Sequence, residues 1–181
     1  ALGATAVGYD VDASLPVIYG APGDQGEVVG RAGRRGRARL AIAPTPMAAR
    51  LAEAPFDVIL AKNTLKRGYV HPERPADPKR LVALGTDDVT YLEGLRALLA
   101  PGGLLLLYNI SPPQAPPDQP YIPWADGRSP WSAGEWVAAG FEVLALDVVD
   151  DAALRSMGTA LGWFTEPGEV YFAHYTLLRA R

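Results

Sequence analysis

The sequence predicts a doubly wound α/β fold, a mostly parallel sheet covered by helices. Two observations carry the prediction. Strand-like and helix-like patterns alternate along the chain, as crossover connections require. In the stretch Leu98 to Asn109, a helix stops at Pro101-Gly102-Gly103 and an uninterrupted apolar run, Leu104 to Tyr108, follows at once. Such a run reads as a strand buried on both faces, the situation of a strand inside a parallel sheet.

Taken in order, Ala4 to Asp10 is the first candidate strand and ends in acids; Arg37 to Ala43 is the second and Phe56 to Ala61 the third. Leu104 to Tyr108, Phe141 to Leu146 and Tyr171 to Leu178 complete six. Between them lie helix signals. Thr45-Pro46 is an N-cap followed by proline at the first helical position. Val89, Leu92, Leu95 and Leu99 recur at helical spacing after Asp87, which can cap the first turn. Ser132-Ala133-Gly134-Glu135 matches a capping box, with Gly140 as the stop. Asp150 or Asp151 can cap a helix whose Leu154, Met157 and Leu161 share one face, with Gly162 beyond its end.

Two stretches read as irregular. Gly20 to Arg39 is rich in glycine and arginine, and its arginines at 31, 34, 35, 37 and 39 suit a solvated hairpin or loop. Ser111 to Pro130 carries seven prolines with Tyr121 and Trp124 among them, and connections of that length inside a compact domain are usually functional or mobile. No repeat interrupts the chain, and residues 1–181 are expected to form a single domain.

Composition narrows the classes. With 181 residues, 49% hydrophobic and 20% charged, the chain can bury an ordinary globular core. A net charge of −3 provides no global attraction for nucleic acid or anionic membrane, so neither partner is expected. The absence of cysteine removes disulfides, thiolate chemistry and cysteine-bound metals. No apolar run approaches the ~20 residues of a membrane helix. No basic region followed by an apolar block opens the chain, so a cytoplasmic location is the expectation.

The motifs together resemble the class I S-adenosylmethionine-dependent methyltransferases. Ala6-Val7-Gly8-Tyr9-Asp10-Val11-Asp12 resembles the family's second strand, and Phe56-Asp57-Val58-Ile59-Leu60-Ala61-Lys62-Asn63 its fourth. Pro101-Gly102-Gly103 with Leu104 to Asn109 resembles the fifth, and Ala138-Ala139-Gly140-Phe141-Glu142-Val143 the junction into the sixth. Phe172 to Leu178 suits the family's antiparallel seventh strand near the sheet edge. The resemblance implies a Rossmann-like sheet, S-adenosylmethionine as cofactor and a methyl acceptor as substrate. One departure is plain: the family's first strand and Gly-x-Gly loop have no counterpart, because Gly30 to Gly36 opens no helix. The expectation is therefore the C-terminal portion of a longer methyltransferase, N-terminally incomplete and leaving strand edges unpaired.

Three polar clusters fall at carboxyl ends of strands, where open parallel sheets bind ligands. The first is Asp10 and Asp12; by the resemblance Asp10, and secondarily Asp12, accepts the cofactor's ribose hydroxyls. Helix capping by Asp12 is its bland counterpart. The second runs from Lys62 to Pro72. Lys62, Lys66 and Arg67 suit an anionic substrate group, Asn63 can orient an amide or hydroxyl, and His71 can serve as general base. A solvated basic loop is the alternative. The third is Tyr108 and Asn109 with the proline segment, where Trp124 can wall the cofactor sulfonium by cation–π attraction or merely staple the loop. Methyl transfer needs alignment and exclusion of water more than a triad, and no triad or metal-binding spacing is present.

Two other functions compete. Tyr9-Asp10-Val11-Asp12 also resembles the Asp-x-Asp opening of haloacid dehalogenase-like phosphatases, with Asp10 as nucleophile and Asp147, Asp150 and Asp151 around magnesium. That family needs a lysine before the acidic pair, and no lysine follows Lys79. The third possibility is a methyltransferase-like module that binds a partner without catalysis.

Overall fold

A computed structural model describes residues 3–10, 25–30, 32–42, 54–68, 84–112, 126–164 and 171–181, with backbone alone at 10, 41 and 42. Internal contacts divide the chain into two compact units, Ala1–Glu53 with Leu84–Asp87, and Ala54–Ala83 with Asp88–Arg181.

The first unit holds a three-stranded sheet of β1 (Thr5–Asp10), β2 (Gly26–Val29) and β3 (Arg35–Ile42) in the order β1-β3-β2. β1 runs parallel to β3, with Thr5 opposite Arg37 and Asp10 opposite Ile42. β2 runs antiparallel to β3, with Glu27 opposite Arg37. The glycine- and arginine-rich stretch thus forms the hairpin that was one of its two expected forms, with β2 as a strand the sequence reading did not mark. The β-branched Val28 and Val29 supply the outgoing strand. The turn closes through Gly30 N–H to the Arg34 carbonyl at 2.9 Å, and Gly33 takes a φ of +72° inside it.

The second unit is a four-stranded sheet, β4 (Phe56–Lys62), β5 (Leu99–Ser111), β6 (Phe141–Val149) and β7 (Phe172–Ala180), in the order β4-β5-β7-β6. β4 and β5 are parallel, and β7 is antiparallel to both β5 and β6. Three strands thus point one way and only β7 the other, a mixed α/β sheet with the antiparallel strand where the sequence predicts it. Among the described residues, the helices are α1 (Asp88–Ala97), α2 (Ala133–Ala138) and α3 (Asp151–Ala160). None of them is long and apolar enough to cross a membrane. The Thr45-Pro46 helix start lies outside the described residues.

The helix starts follow the sequence closely, their buried faces less so. Ser132 caps α2 and Glu135 returns its carboxylate to the Ser132 N–H at 2.8 Å, closing the expected capping box. α1 buries Tyr91, Leu92 and Leu95, while Val89 is exposed and Leu99 already belongs to β5. α3 buries Leu154 and Gly158, not the expected Leu154–Met157–Leu161 face; Leu161 is 57% exposed. The Phe164 ring lies so close over Gly158 that a Cβ there would require the ring to shift.

The largest difference concerns Pro101-Gly102-Gly103, which lies inside a strand instead of between a helix and a strand. β5 begins at Leu99, paired with Phe56, and passes through the Pro-Gly-Gly segment to Leu104, paired with Val58. The ladder shifts register there, and Gly102 takes φ +75°, a conformation L side chains resist. Gly103 is needed for space. A Cβ on it would lie 2.9 Å from the Ala100 carbonyl oxygen, 3.0 Å from that of Phe56 and 3.2 Å from that of Asp57. Backbone cannot yield as a side chain can, so Gly103→Ala is expected to cost about 1–3 kcal/mol in urea unfolding. A neutral result would show that β4 and β5 part easily at this point.

Candidate functional site

The carboxyl ends of β4 and β5 form a polar assembly built around three consecutive β5 residues, Tyr108, Asn109 and Ile110. Lys62 ends β4 opposite Tyr108. Asn63 follows in the left-handed region at φ 58°, which asparagine tolerates better than most residues. Its N–H donates to the Tyr108 carbonyl at 3.1 Å, and its Oδ1 accepts from the Ile110 N–H at 2.8 Å. Asn109 is 1% exposed and donates through Nδ2 to the Leu65 carbonyl at 2.9 Å. The two asparagines thereby hold residues 63–66 onto β5.

Lys66 is carried in by this clamp. Its ammonium donates to the Ile110 carbonyl at 2.8 Å, and no carboxylate among the described residues pairs with it. Burial alone lowers its pKa from the ordinary lysine value, since the charged form loses water without gaining an anion. The sign of the consequence follows. Between its lowered folded value and the ordinary 10.5, the unfolded chain binds more protons than the folded one, so stability rises with pH across that window. Lys66→Met removes the cost, and its stability advantage over the native protein is expected to shrink as pH rises towards 10.5. Thermal melts from pH 7 upwards check this; a constant or growing difference would contradict it.

Arg67 is differently placed. Its Nε donates to Asp126 Oδ2 at 2.7 Å and its Nη2 donates to the same oxygen. The Asp126 carboxylate is only 4% exposed, and its other oxygen accepts from the Arg128 N–H at 2.9 Å. The backbones of Arg67 and residues 126–128 pair as well, through Arg67 N–H to the Arg128 carbonyl at 2.8 Å and Asp126 N–H to the Arg67 carbonyl at 3.1 Å. Ser111 Oγ donates to the Asp126 carbonyl at 3.3 Å. Gly127 sits between Ser111 and His174 at φ +82°, where a Cβ would lie 3.0 Å from Ser111 Oγ and 3.1 Å from His174 Nδ1. His174 stands opposite Asn109 in the β5–β7 ladder. Asn109 Oδ1 and His174 Nδ1 are both buried without a hydrogen-bond partner.

On the opposite face of the ladder, Tyr108 donates its phenolic hydrogen to Asp150. Burial, followed by the negative charge of Asp150, that hydrogen bond and Asp151, raises the Tyr108 pKa, so the phenol stays protonated. The Lys62 ammonium lies 5.4 Å from the centroid of the Trp163 ring, a cation–π contact that ties the end of α3 to β4. Asp151 Oδ1 accepts from the Ala173 N–H at 2.7 Å. Asp147 Oδ1 accepts from the Ser129 N–H at 2.7 Å and from Thr176 Oγ1 at 3.3 Å. The three acids of the phosphatase alternative are thus engaged in separate local bonds. Among the described residues, no three histidine, aspartate or glutamate side chains converge as a metal site would require.

Of the residues singled out in the sequence, Lys62, Asn63, Lys66, Arg67, Tyr108 and Asn109 are brought together at the β4–β5 ends. Their situations differ: Asn63 and Arg67 spend their polar groups on the protein, Asn109 donates to the Leu65 carbonyl but leaves its Oδ1 unpaired, and the Lys66 ammonium meets no carboxylate among the described residues. Asp10 is the last residue of β1, at the carboxyl end of a parallel pair. Asp12, His71 and Trp124 lie outside the described residues. The partnerships of Tyr108 with Asp150 and of Lys62 with Trp163 escape sequence reading, because each joins residues more than 40 positions apart and no local pattern marks them.

No family model matches this sequence, and no curated protein aligns with it significantly. Solved structures do match. One is a provisionally assigned S-adenosylmethionine-dependent methyltransferase of Listeria monocytogenes, 6% identical, with a TM-score of 0.50 over 99% of this chain and 90% of that one. The fold is that of the S-adenosylmethionine-dependent methyltransferases. Methyltransferase structures from Methanosarcina mazei (9% identity, TM-score 0.48, 98% of this chain and 92% of that one) and Mesorhizobium loti (11%, 0.47, 98% and 90%) are also similar. The mixed sheet with β7 antiparallel between β5 and β6 is thus the sheet of a methyltransferase fold, as the motif order predicts.

Proposed function

We propose that this protein transfers a methyl group from S-adenosylmethionine to a small acceptor carrying an anionic group, with Lys66 as the cation that receives that group. The observation that carries the proposal is the half-buried Lys66 ammonium at the carboxyl ends of β4 and β5, balanced by a carbonyl and by no carboxylate among the described residues. A protein gains no stability from such a charge, and uncompensated buried charges concentrate at functional sites. Arg67, neutralised by Asp126, acts instead as a positioning residue that holds Lys66's loop.

The chemistry of the residues present fits the cofactor at its ribose end. Asp10 closes parallel strand β1, and a carboxylate accepts both vicinal hydroxyls where a neutral side chain does so less well. When bound, the cofactor supplies an electrophilic methyl on a sulfonium. The chain's own task is to hold the acceptor in line and dry. Lys66 fixes the anionic end, Asn63 and Asn109 fix the loop that carries Lys66, and His71 takes the acceptor's proton where its nucleophile is a hydroxyl or amine.

The test is transfer of labelled methyl from S-adenosylmethionine to a panel of small carboxylates, phosphate esters and their neutral amide or alcohol counterparts. Anionic acceptors are expected to be preferred, and Lys66→Met to raise their KM roughly tenfold while leaving neutral acceptors unchanged. Equal use of neutral and anionic acceptors by both proteins would remove Lys66 from the site.

A further inference from the structure

Two groups at the β5 end keep a buried polar atom unpaired, Asn109 its Oδ1 and His174 its Nδ1. They stand directly opposite each other in the β5–β7 ladder, so both side chains rise from one face of the sheet, with Cβ atoms about 4.5–5.5 Å apart. The surroundings fix how each is oriented. The Leu65 carbonyl only accepts, so the arm of the Asn109 amide that meets it at 2.9 Å is Nδ2, and Oδ1 is left as an acceptor without a donor. Ser111, two residues on and on the same face, directs its hydroxyl hydrogen to the Asp126 carbonyl and offers only lone pairs elsewhere. Gly127 closes over the group: a Cβ there would lie 3.0 Å from Ser111 Oγ and 3.1 Å from His174 Nδ1. The side-chain atoms set beside Nδ1 are thus acceptors, and a lone pair on Nδ1 would face lone pairs. Nδ1 therefore carries the ring's proton, and the neutral imidazole keeps its lone pair on Nε2. The residue is half-buried and Nδ1 is its sealed nitrogen, so Nε2 is the one on the open side.

We propose that His174 is a specificity-determining residue of the Lys66 site: its Nδ1–H anchors the ring against β5, and its bare Nε2 accepts a hydrogen bond from a hydroxyl or amine of the bound molecule. Asn109 links the two residues. Its Nδ2 holds Leu65, the neighbour of Lys66, while His174 stands across the ladder from it, and the Lys66 ammonium rests on the carbonyl of the next β5 residue, Ile110. This role, which rests on Lys66 receiving the anionic group, narrows the substrate to a molecule that carries a hydroxyl or amine as well as its anion. Lys66 can only donate and Nε2 in this tautomer can only accept, so the pair reads two opposite features of one small molecule. An anion without the donor leaves Nε2 to water and loses one hydrogen bond. The part of His174 is to hold and orient that group.

Nitrogen NMR of the histidine-labelled protein at about pH 8, where histidine is ordinarily neutral, reads the tautomer directly. His174 is expected to hold its proton on Nδ1, and a proton on Nε2 would overturn the proposal. Titration with butyrate and with 2-, 3- and 4-hydroxybutyrate, followed on the Lys66 backbone amide, then compares an anion with its hydroxyl-bearing counterparts at three spacings. At least one hydroxybutyrate is expected to bind about three- to tenfold more tightly than butyrate, as one added hydrogen bond gives. His174→Asn places an amide N–H where Nδ1–H stood and nothing where Nε2 stood. It is expected to melt with the native protein and to bind all four probes alike, whereas Lys66→Met weakens all four by a similar factor. Equal affinities in the native protein, or a hydroxyl preference that survives in His174→Asn, would overturn the proposal while Lys66-dependent binding left the anion site standing. Binding of none of the probes would overturn both.

Discussion

Trp136→Ala is expected to lower the stability of the protein by about 3–5 kcal/mol. Trp136 is fully buried and joins the core in two edge-to-face contacts, to Trp131 at 5.1 Å and to Phe141 at 5.4 Å between centroids. Tyr91 of α1 stacks on the far side of Trp131 at 5.9 Å, so the ring of Trp136 completes a ladder running from α1 through α2 to β6. Its removal leaves a cavity among close-packed aromatic side chains that can relax only in part. The indole also has a polar role. Its Nε1 donates to Ser129 Oγ at 3.1 Å, and Ser129 Oγ in turn donates to the Trp131 carbonyl at 2.8 Å. Trp136→Phe keeps most of the packing and loses that bond, so a loss near 1–2 kcal/mol is expected, clearly smaller than for alanine. Urea unfolding of the two variants separates packing from hydrogen bonding. Equal losses would mean that the bond to Ser129, and not the aromatic ladder, carries the cost.

Arg67→Ala has the second largest expected effect, about 2–3 kcal/mol. The substitution strands the Asp126 carboxylate, 4% exposed, with the Arg128 N–H as its remaining donor. The figure lies below that of a wholly buried pair because the Arg67 side chain is itself 41% exposed and partly screened by water. Asp126→Asn is expected to cost less than Arg67→Ala, since it leaves no buried charge and the guanidinium can turn to solvent. Arg67→Lys keeps the charge but replaces two donors on one oxygen by a point charge, and falls between them. The reverse order, with Asp126→Asn the worse, would show that Arg67 and not Asp126 is the buried partner. Because Arg67 holds the loop that presents Lys66, Arg67→Ala should also raise the KM for an anionic acceptor.

How much of this was legible in the sequence depends on whether the signal is local. The Ser132–Glu135 capping box, the starts of α1 and α3 and all six candidate strands are set by residues within a few positions, and they appear in the structure. The parallel character of β5 was readable from the apolar run of Leu104 to Leu107. Its length was not, because Pro101-Gly102-Gly103 reads as a stop unless the pairing of Leu99 with Phe56 is known. β2 was missed since a four-residue strand among glycines and arginines gains its structure only from β3. The same holds at the site. Lys62, Asn63, Lys66 and Arg67 were marked by their place after a strand. Which of them meets a carboxylate among the described residues is decided by Asp126, some 60 residues away, and Lys66 is held by the Ile110 carbonyl instead. Long-range pairing, not local propensity, distinguishes the structural cation from the candidate functional one.

The central claim is that this fold holds S-adenosylmethionine with Asp10 at its ribose. Calorimetric titration of S-adenosylmethionine into the protein, alongside the Asp10→Ala variant, tests it most directly. Saturable one-site binding is predicted, weakened roughly ten- to hundredfold by Asp10→Ala through the loss of charge-assisted bonds to two hydroxyls. No binding by the folded protein would contradict the account, and binding unaffected by Asp10→Ala would remove Asp10 from it.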